Sequence, residues 1–324
     1  MQRKREGLVP IIEALSALPD PVKTICEATP QAVHHFTRFD QVEQLVEASE
    51  SDPDLGFMTR LITLCSLPRT NPGKRKEYVR RNGPYTLGMS AGIGNKLPYG
   101  ILPRLLMAWV CTEAVRTQSR VLVLGKSLSE FMRKLGMQTS GGSARGDRTR
   151  LRNQMRRLFR CQVELICEDE NSERSVASRI ADRTEFWWNP KQPDEPVLWE
   201  SKIRLGEDFF NEITSHPVPI DMNILKAVKR SSLGLDLYLW LTYRMFRLKL
   251  PLALPWQVLY RQFGVDPDKA KDKFTVRNFR KDCLRELEKI KLAWPELKYA
   301  TIAGALILVP SKPSITPTNP RLGE

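Results

Sequence analysis

A chain of 324 residues is long enough for two or three domains, and 41% apolar residues give them cores, which excludes wholesale disorder. A net charge of +14 and a sequence pI near 9.6 point to a polyanionic partner, nucleic acid before anionic membrane. No stretch approaches the roughly 18 consecutive apolar residues of a membrane span. The opening MQRKREGLVPIIEALSALPDP, interrupted by Glu13, does not read as a signal peptide, so a cytoplasmic protein is expected.

The charge is uneven. Residues 1–60 hold 6 Lys and Arg against 10 Asp and Glu, so the remainder carries 45 against 27. The acidic opening reads as a helical extension over residues 1–68. It includes a helix at 38–50 with Phe39, Val42 and Val46 on one face. Next, RTNPGKRKEYVRRNGPYTLG (69–88) reads as a connector with turns, and Lys74, Arg75, Arg80 and Arg81 in it are candidate phosphate contacts. ILPRLLMAWVCTEAVRT (101–117) is an apolar helix with Pro103 tolerated in its first turn. RVLVL (120–124) is a short strand. Ser127 and Glu130 form a capping box for a helix that Gly136 ends. A Gly/Ser loop and an arginine-rich helix follow. CQVELICE (161–168) and SVASRIADRTEFWW (175–188) then alternate as strands around a polar turn. Helix, strand, helix, helix, strand, strand is the order of a winged helix-turn-helix domain, set at residues 69–190.

NPKQPDEP (189–196) is a proline-rich joint. Over residues 197–311 the order recurs. A strand at 198–205 leads into helices at 207–214 and 223–229, then an apolar helix at 232–248. A strand at 252–256, a helix at 257–264, a second basic helix at 275–291 and a hairpin at 297–302 and 305–311 complete it. The expected fold class is α+β and helix-rich: two tandem winged helix-turn-helix domains with a short helical N-terminal extension. The tail 312–324 is expected to be disordered.

Residues 145–160 contain seven arginines and one aspartate. On a helical wheel Leu151, Met155, Leu158 and Phe159 form a core stripe. Arg150, Asn153, Arg156, Arg157 and Arg160 cover the opposite side, Arg148 lies in the same run, and Asp147 is placed to cap the N-terminus. A solvated face usually mixes signs, because like charges one turn apart repel. After Asp147 no acid follows until Glu164. Phosphate would supply the missing charge, and arginine's planar fork suits it. The tripeptide Arg145-Gly146-Asp147 comes with no secretion signal, which argues against cell adhesion. In the second basic helix Val276, Phe279, Cys283, Leu287 and Ile290 form the core stripe. Asn278, Lys281, Arg285 and Lys289 face away, Arg277 is a further candidate contact, and Thr275 is a plausible N-cap. Amide, ammonium and guanidinium together are a set that reads bases. Asp282, Glu286 and Glu288 leave a solvated face open as the alternative.

Other patterns carry less. VLVLGKSLSE (121–130) has the look of a phosphate loop, but Arg120 stands where the motif needs glycine. His34 and His35 are adjacent, and the third histidine, His216, is far along the chain. The cysteines Cys26, Cys65, Cys111, Cys161, Cys167 and Cys283 contain no C-x-x-C pair and read as reduced and buried. Trp187, Trp188, Trp240 and Trp256 have apolar neighbours and read as core. No catalytic constellation, metal site or cofactor site is expected.

The run NGPYTLGMSAGIGNKLPYGILPRLLMAWVCTEAVRTQSRVLVLGKSLSEFMRKLG (82–136), then LRNQMRRLF (151–159) and LDLYLWLTYRM (235–245), resembles the plasmid-encoded replication initiators of the RepA type. The resemblance covers roughly residues 53–311. It implies a theta-type initiator with two winged-helix domains. Such a protein binds direct repeats (iterons) at a plasmid origin, promotes melting of adjacent AT-rich DNA and recruits host replication proteins such as helicase. It further implies autoregulation, with a homodimer as the repressor form. In that pattern Asn278, Lys281 and Arg285 would read bases while Arg150, Arg156, Arg157 and Arg160 clamp phosphates. A winged-helix transcriptional repressor without a replication role is the alternative.

Overall fold

The computed structural model describes residues 54–315 except 93, 140–143, 169–172, 189–194, 196–199 and 303. The helix expected at 38–50 and the tail beyond residue 315 lie outside the described residues. Within them the chain is mixed α/β, with helices packed against four antiparallel sheets.

The described chain opens with β1 (Leu55–Thr59) and the short α1 (Arg60–Leu64). Every residue of β1 is buried, and it pairs with β9 (Pro217–Asp221), far along the sequence. The connector expected at 69–88 is instead largely a hairpin of β2 (Glu77–Asn82) and β3 (Tyr85–Ser90). Its turn passes through Gly83, whose φ of 56° suits glycine. Asn82-Gly83 is a turn signal that the surrounding charge obscured.

The apolar helix α2 (Ile101–Thr117) has the bounds expected of it and is buried on nearly every side. After it come β4 (Val121–Gly125) and α3 (Leu128–Lys134). The Ser127 hydroxyl accepts from the Glu130 amide at 3.1 Å, and the Glu130 carboxylate accepts from the Lys126 amide at 3.0 Å. The arginine-rich helix α4 (Ala144–Phe159) leads into β5 (Gln162–Glu168), β6 (Glu173–Arg179) and β7 (Ala181–Glu185). Strands β5 and β6 extend the hairpin into a sheet of order β2-β3-β5-β6. β8 (Ser201–Leu205) lies between β4 and β7, so the segment after the proline-rich joint completes a sheet begun before it.

The remainder holds α5 (Glu207–Ser215), β9, α6 (Met222–Val228) and the buried α7 (Ser232–Met245). β9 contains Pro217 and Pro219, residues that argue against a strand in sequence, and it pairs only with β1. Then come β10 (Leu252–Pro255), α8 (Trp256–Phe263), a 3₁₀ turn at Pro267–Lys271, α9 (Lys273–Ala293), β11 (Lys298–Thr301) and β12 (Ala305–Val309). From α7 onward the order is helix, strand, helix, helix, strand, strand, over one sheet of order β10-β12-β11. The earlier unit has the same element order, but its first strand, β4, pairs with β8 and not with β5 or β6.

A buried ion pair joins the two central helices. Arg104 on α2 meets Asp236 on α7 through two bonds, Nε–Oδ1 at 2.7 Å and Nη2–Oδ2 at 2.6 Å. The same guanidinium donates to the carbonyls of Leu67, Pro68 and Gly100. Both side chains are at most 1% exposed, so the cost of desolvating the charges is met only because the fork is fully engaged. At the far end Lys312 O accepts from the Trp294 indole at 3.1 Å and Ile315 packs on the core.

Candidate nucleic-acid interface

Helix α4 buries the stripe that its periodicity predicts: Leu151, Met155, Leu158 and Phe159 are each at most 2% exposed. Burying four such side chains stabilises the fold by about 1.5–3 kcal/mol each. That anchor fixes which way the arginines point. Asp147 lies inside the first turn of the helix, not before it, and accepts from Arg150 at 3.3 Å.

The arginines are not equivalent. Arg148 donates to the Thr139 carbonyl at 2.6 Å. Arg157 folds back, its guanidinium 5.2 Å from the centre of the Tyr99 ring and 3.4 Å from the Leu97 carbonyl. Arg150, Asn153, Arg156 and Arg160 are exposed. Arg152, which sequence reasoning left out, is exposed too, one turn before Arg156. Arg152, Arg156 and Arg160 therefore form a ridge at i, i+4, i+8. Partial burial, and then the charges of Arg152 and Arg160, push the Arg156 guanidinium below its ordinary pKa. Three like charges in a row oppose folding, and a phosphate backbone would relieve them.

The C-terminal end of α4 is held by a loop. The Asn95 amide donates to the carbonyls of Arg156 at 3.0 Å and Arg157 at 3.4 Å. A Cβ at Gly92 would come within 2.7 Å of the Arg160 carbonyl, so only glycine lets the loop approach this closely. The Lys76 ammonium donates to the Asn95 carbonyl, which ties the basic turn before β2 to the same place. Lys74 and Arg75 are exposed in that turn.

Arg80 and Arg81 part company. Strand alternation turns Arg81 outward and Arg80 inward. Arg80 is 1% exposed and donates to the Arg261 and Gly264 carbonyls at 2.8 Å each and to the Tyr78 hydroxyl at 2.7 Å. The expectation that it contacts phosphate is corrected. It clasps the C-terminus of α8, where a cation suits both the open carbonyls and the dipole.

Aromatic side chains border the ridge. Phe186 and Trp188, with Leu128 and Met155, line a depression of about 40 Å³ beside Arg152 and Arg156. That holds a few water molecules and is too small for a base. Trp188 donates to the Gly125 carbonyl at 3.1 Å. Trp240 and Trp256 are core as expected, but Trp187 is 52% exposed and is no core residue.

Helix α9 begins two residues earlier than expected. Its N-cap is Asp272, not Thr275: the carboxylate accepts from the Phe274 and Thr275 amides at 3.1 and 3.2 Å. The Thr275 hydroxyl, and then the Phe274 amide, hold the Asp272 carboxyl below its ordinary pKa. Phe279, Cys283, Leu287 and Ile290 are buried, and Val276 partly so. Arg277, Asn278 and Lys281 are exposed and, among the described residues, form no ion pair. Further along, Arg285 lies 2.8 Å from Asp282 and 3.5 Å from Glu286, and Lys289 lies 2.9 Å from Glu286. The uncommitted polar groups thus gather in the N-terminal half of α9. Phe274 stands there 70% exposed, a residue to which the sequence pattern assigned no role.

Cys65, Cys111, Cys161 and Cys283 are buried free thiols, and burial pushes the first three up to about 12. Among the described residues no His, Cys, Asp and Glu cluster is arranged to hold a metal, and no helix is long and apolar enough to cross a membrane.

Residues 97–252 match the family described as plasmid encoded RepA protein. That span contains α2, α3, the whole arginine ridge and α7. Among solved structures, crystal structures of domains 2 and 3 of RctB are similar in fold. A selenomethionine derivative is 16% identical with a TM-score of 0.49, covering 78% of this chain and 96% of that one. A second, of RctB 155–483, is 16% identical with a TM-score of 0.44, covering 76% and 94%. No curated protein sequence matches. Over residues 97–252, which carry both central helices and the arginine ridge, the chain is similar to the family of plasmid-encoded RepA proteins.

Proposed function

We propose that this protein is a plasmid replication initiator that binds direct repeats at the origin, promotes melting there and recruits host replication proteins, itself catalysing nothing. The observation that carries the reading is the uncompensated ridge Arg152–Arg156–Arg160 lying within the segment that matches the RepA family. Two winged-helix units fit the repeated element order, with α4 and α9 as their DNA-facing helices. In a winged helix the N-terminal half of such a helix enters the major groove, and in α9 that half presents Arg277, Asn278 and Lys281. An Asn amide pairs with adenine, and arginine or lysine with guanine. The ridge on α4, with Lys74, Arg75 and Arg81, supplies phosphate contacts that fix position without reading sequence.

Two such helices on one rigid frame would meet DNA about one turn (~34 Å) apart, giving a site of roughly 20 base pairs. The test is genetic and physical together. The gene plus a repeat array should let an origin-deficient plasmid replicate, and footprinting should protect about two turns of each repeat. Protection without replication would make the protein a repressor instead.

A further inference from the structure

A second charged surface lies away from the ridge. Between α2, the end of α3 and α6 runs a groove of about 340 Å³. Its floor is apolar, formed by Leu105, Trp109 and Leu225 among others. Around it stand Arg116, Lys134, Lys226 and Lys229, with Glu113 the acid of the lining and Glu130 3.4 Å from Lys134. No residue of α4 lines it, so it is separate from the proposed DNA surface. An oily floor with a cationic rim fits an acidic, amphipathic peptide segment.

The chain supplies one. Residues 39–53, FDQVEQLVEASESDP, carry five acids and no Lys or Arg. At helical spacing Phe39, Val42 and Val46 share one face, with Glu43, Glu47 and Glu50 on the face beside it. Moreover, the described chain begins on the rim of this groove. The Asp54 carboxylate lies 3.3 Å from the Lys226 ammonium, and the Asp54 carbonyl accepts from the Met222 amide at 2.8 Å. One residue on, the Leu55 carbonyl accepts from Arg116 at 2.8 Å. Val46 is eight residues from Asp54, a tether of at most about 28 Å. So short a tether keeps the segment at an effective millimolar concentration beside the groove, which makes weak, exposed ion pairs sufficient.

We propose that this groove is the docking site of the chain's own acidic segment, residues 39–53, with its apolar face over Trp109 and Leu225 and its carboxylates toward Lys226, Lys229, Arg116 and Lys134. The inference does not depend on the replication reading. It predicts contacts that form within one chain and weaken with salt.

The experiment uses the full chain with a benzophenone amino acid in place of Val46. Irradiation at 0.05 M NaCl should give an adduct of monomer mass, mapped by mass spectrometry to residues 101–117 or 222–229. The yield should fall at least fivefold at 0.5 M NaCl and in the double variant Lys226→Glu, Lys229→Glu. Glu43→Lys with Glu47→Lys, changes outside the described fold, should lower it equally, and combining the two reversals should restore it. Adducts in residues 148–160, adducts between two chains, or a yield indifferent to both reversals would overturn the proposal.

Discussion

Replacing Arg152, Arg156 and Arg160 together by alanine tests the electrostatic argument most directly. All three are exposed, one turn apart, on a helix whose other side is sealed in the core. If each neutralises one phosphate, each contributes about 0.9 to the slope of log K against log salt. The triple variant should therefore flatten the slope by about 2.7. Between 50 and 200 mM salt, the loss of affinity should be roughly 40-fold smaller than in the parent. The effect should be the same on repeat DNA and on unrelated DNA, because phosphates carry no sequence. Removing three like charges should leave the melting temperature unchanged or slightly raised. Fluorescence anisotropy of a labelled duplex across a salt series, with thermal melting in parallel, measures both. An unchanged slope would refute the assignment of the ridge to phosphate. So would an affinity loss confined to the repeat sequence.

Other expectations follow from the contrasts between neighbouring residues. Arg80→Ala should cost about 3 kcal/mol in urea unfolding, since it strands two carbonyls in the core, and should leave the salt slope of DNA binding unchanged. Arg81→Ala should be near neutral in stability and flatten that slope by about 0.9. Asn278→Ala should cost about 1–3 kcal/mol at the repeat and little on random DNA, measured by competition binding. Phe274→Ser should leave stability intact, and if Phe274 touches a thymine methyl, uracil at one position of the repeat should reproduce its loss of affinity. Asp236→Ala should destabilise the fold by about 3–5 kcal/mol by leaving the Arg104 charge without its carboxylate, whereas Arg104→Met with Asp236→Leu should recover only part of that, because the carbonyls that Arg104 serves lose their donor. Because burial raises the thiols of Cys65, Cys111 and Cys161, thiolate forms only far above neutrality, and alkylation of the native protein at pH 8 should spare all three until it unfolds.

The parts of the fold legible in sequence are those set by local pattern. The bounds of α2, the core stripe of α4, the Ser127 cap and the order of elements from α7 to β12 all follow from periodicity and caps. What stayed hidden was decided at a distance. Arg80 and Arg81 look alike in the chain, but Arg80 finds its carbonyl partners 181 and 184 residues away. The β9 strand carries two prolines and exists only because β1 lies alongside it. In the candidate interface, the wheel found the cationic side of α4 but could not foresee that Tyr99 draws Arg157 aside while Arg152 stays open. Nor could charge counting show that Arg285 and Lys289 turn toward acids of their own helix, leaving Arg277, Asn278 and Lys281 open.

The position of β8 between β4 and β7 has a mechanical consequence. A cut of the peptide bond after the exposed Glu195 would leave the downstream fragment paired into the upstream one through β8. If α4 and α9 face DNA as proposed, that join limits how far the two halves can part, and a target of different pitch would have to twist or bend to meet both helices.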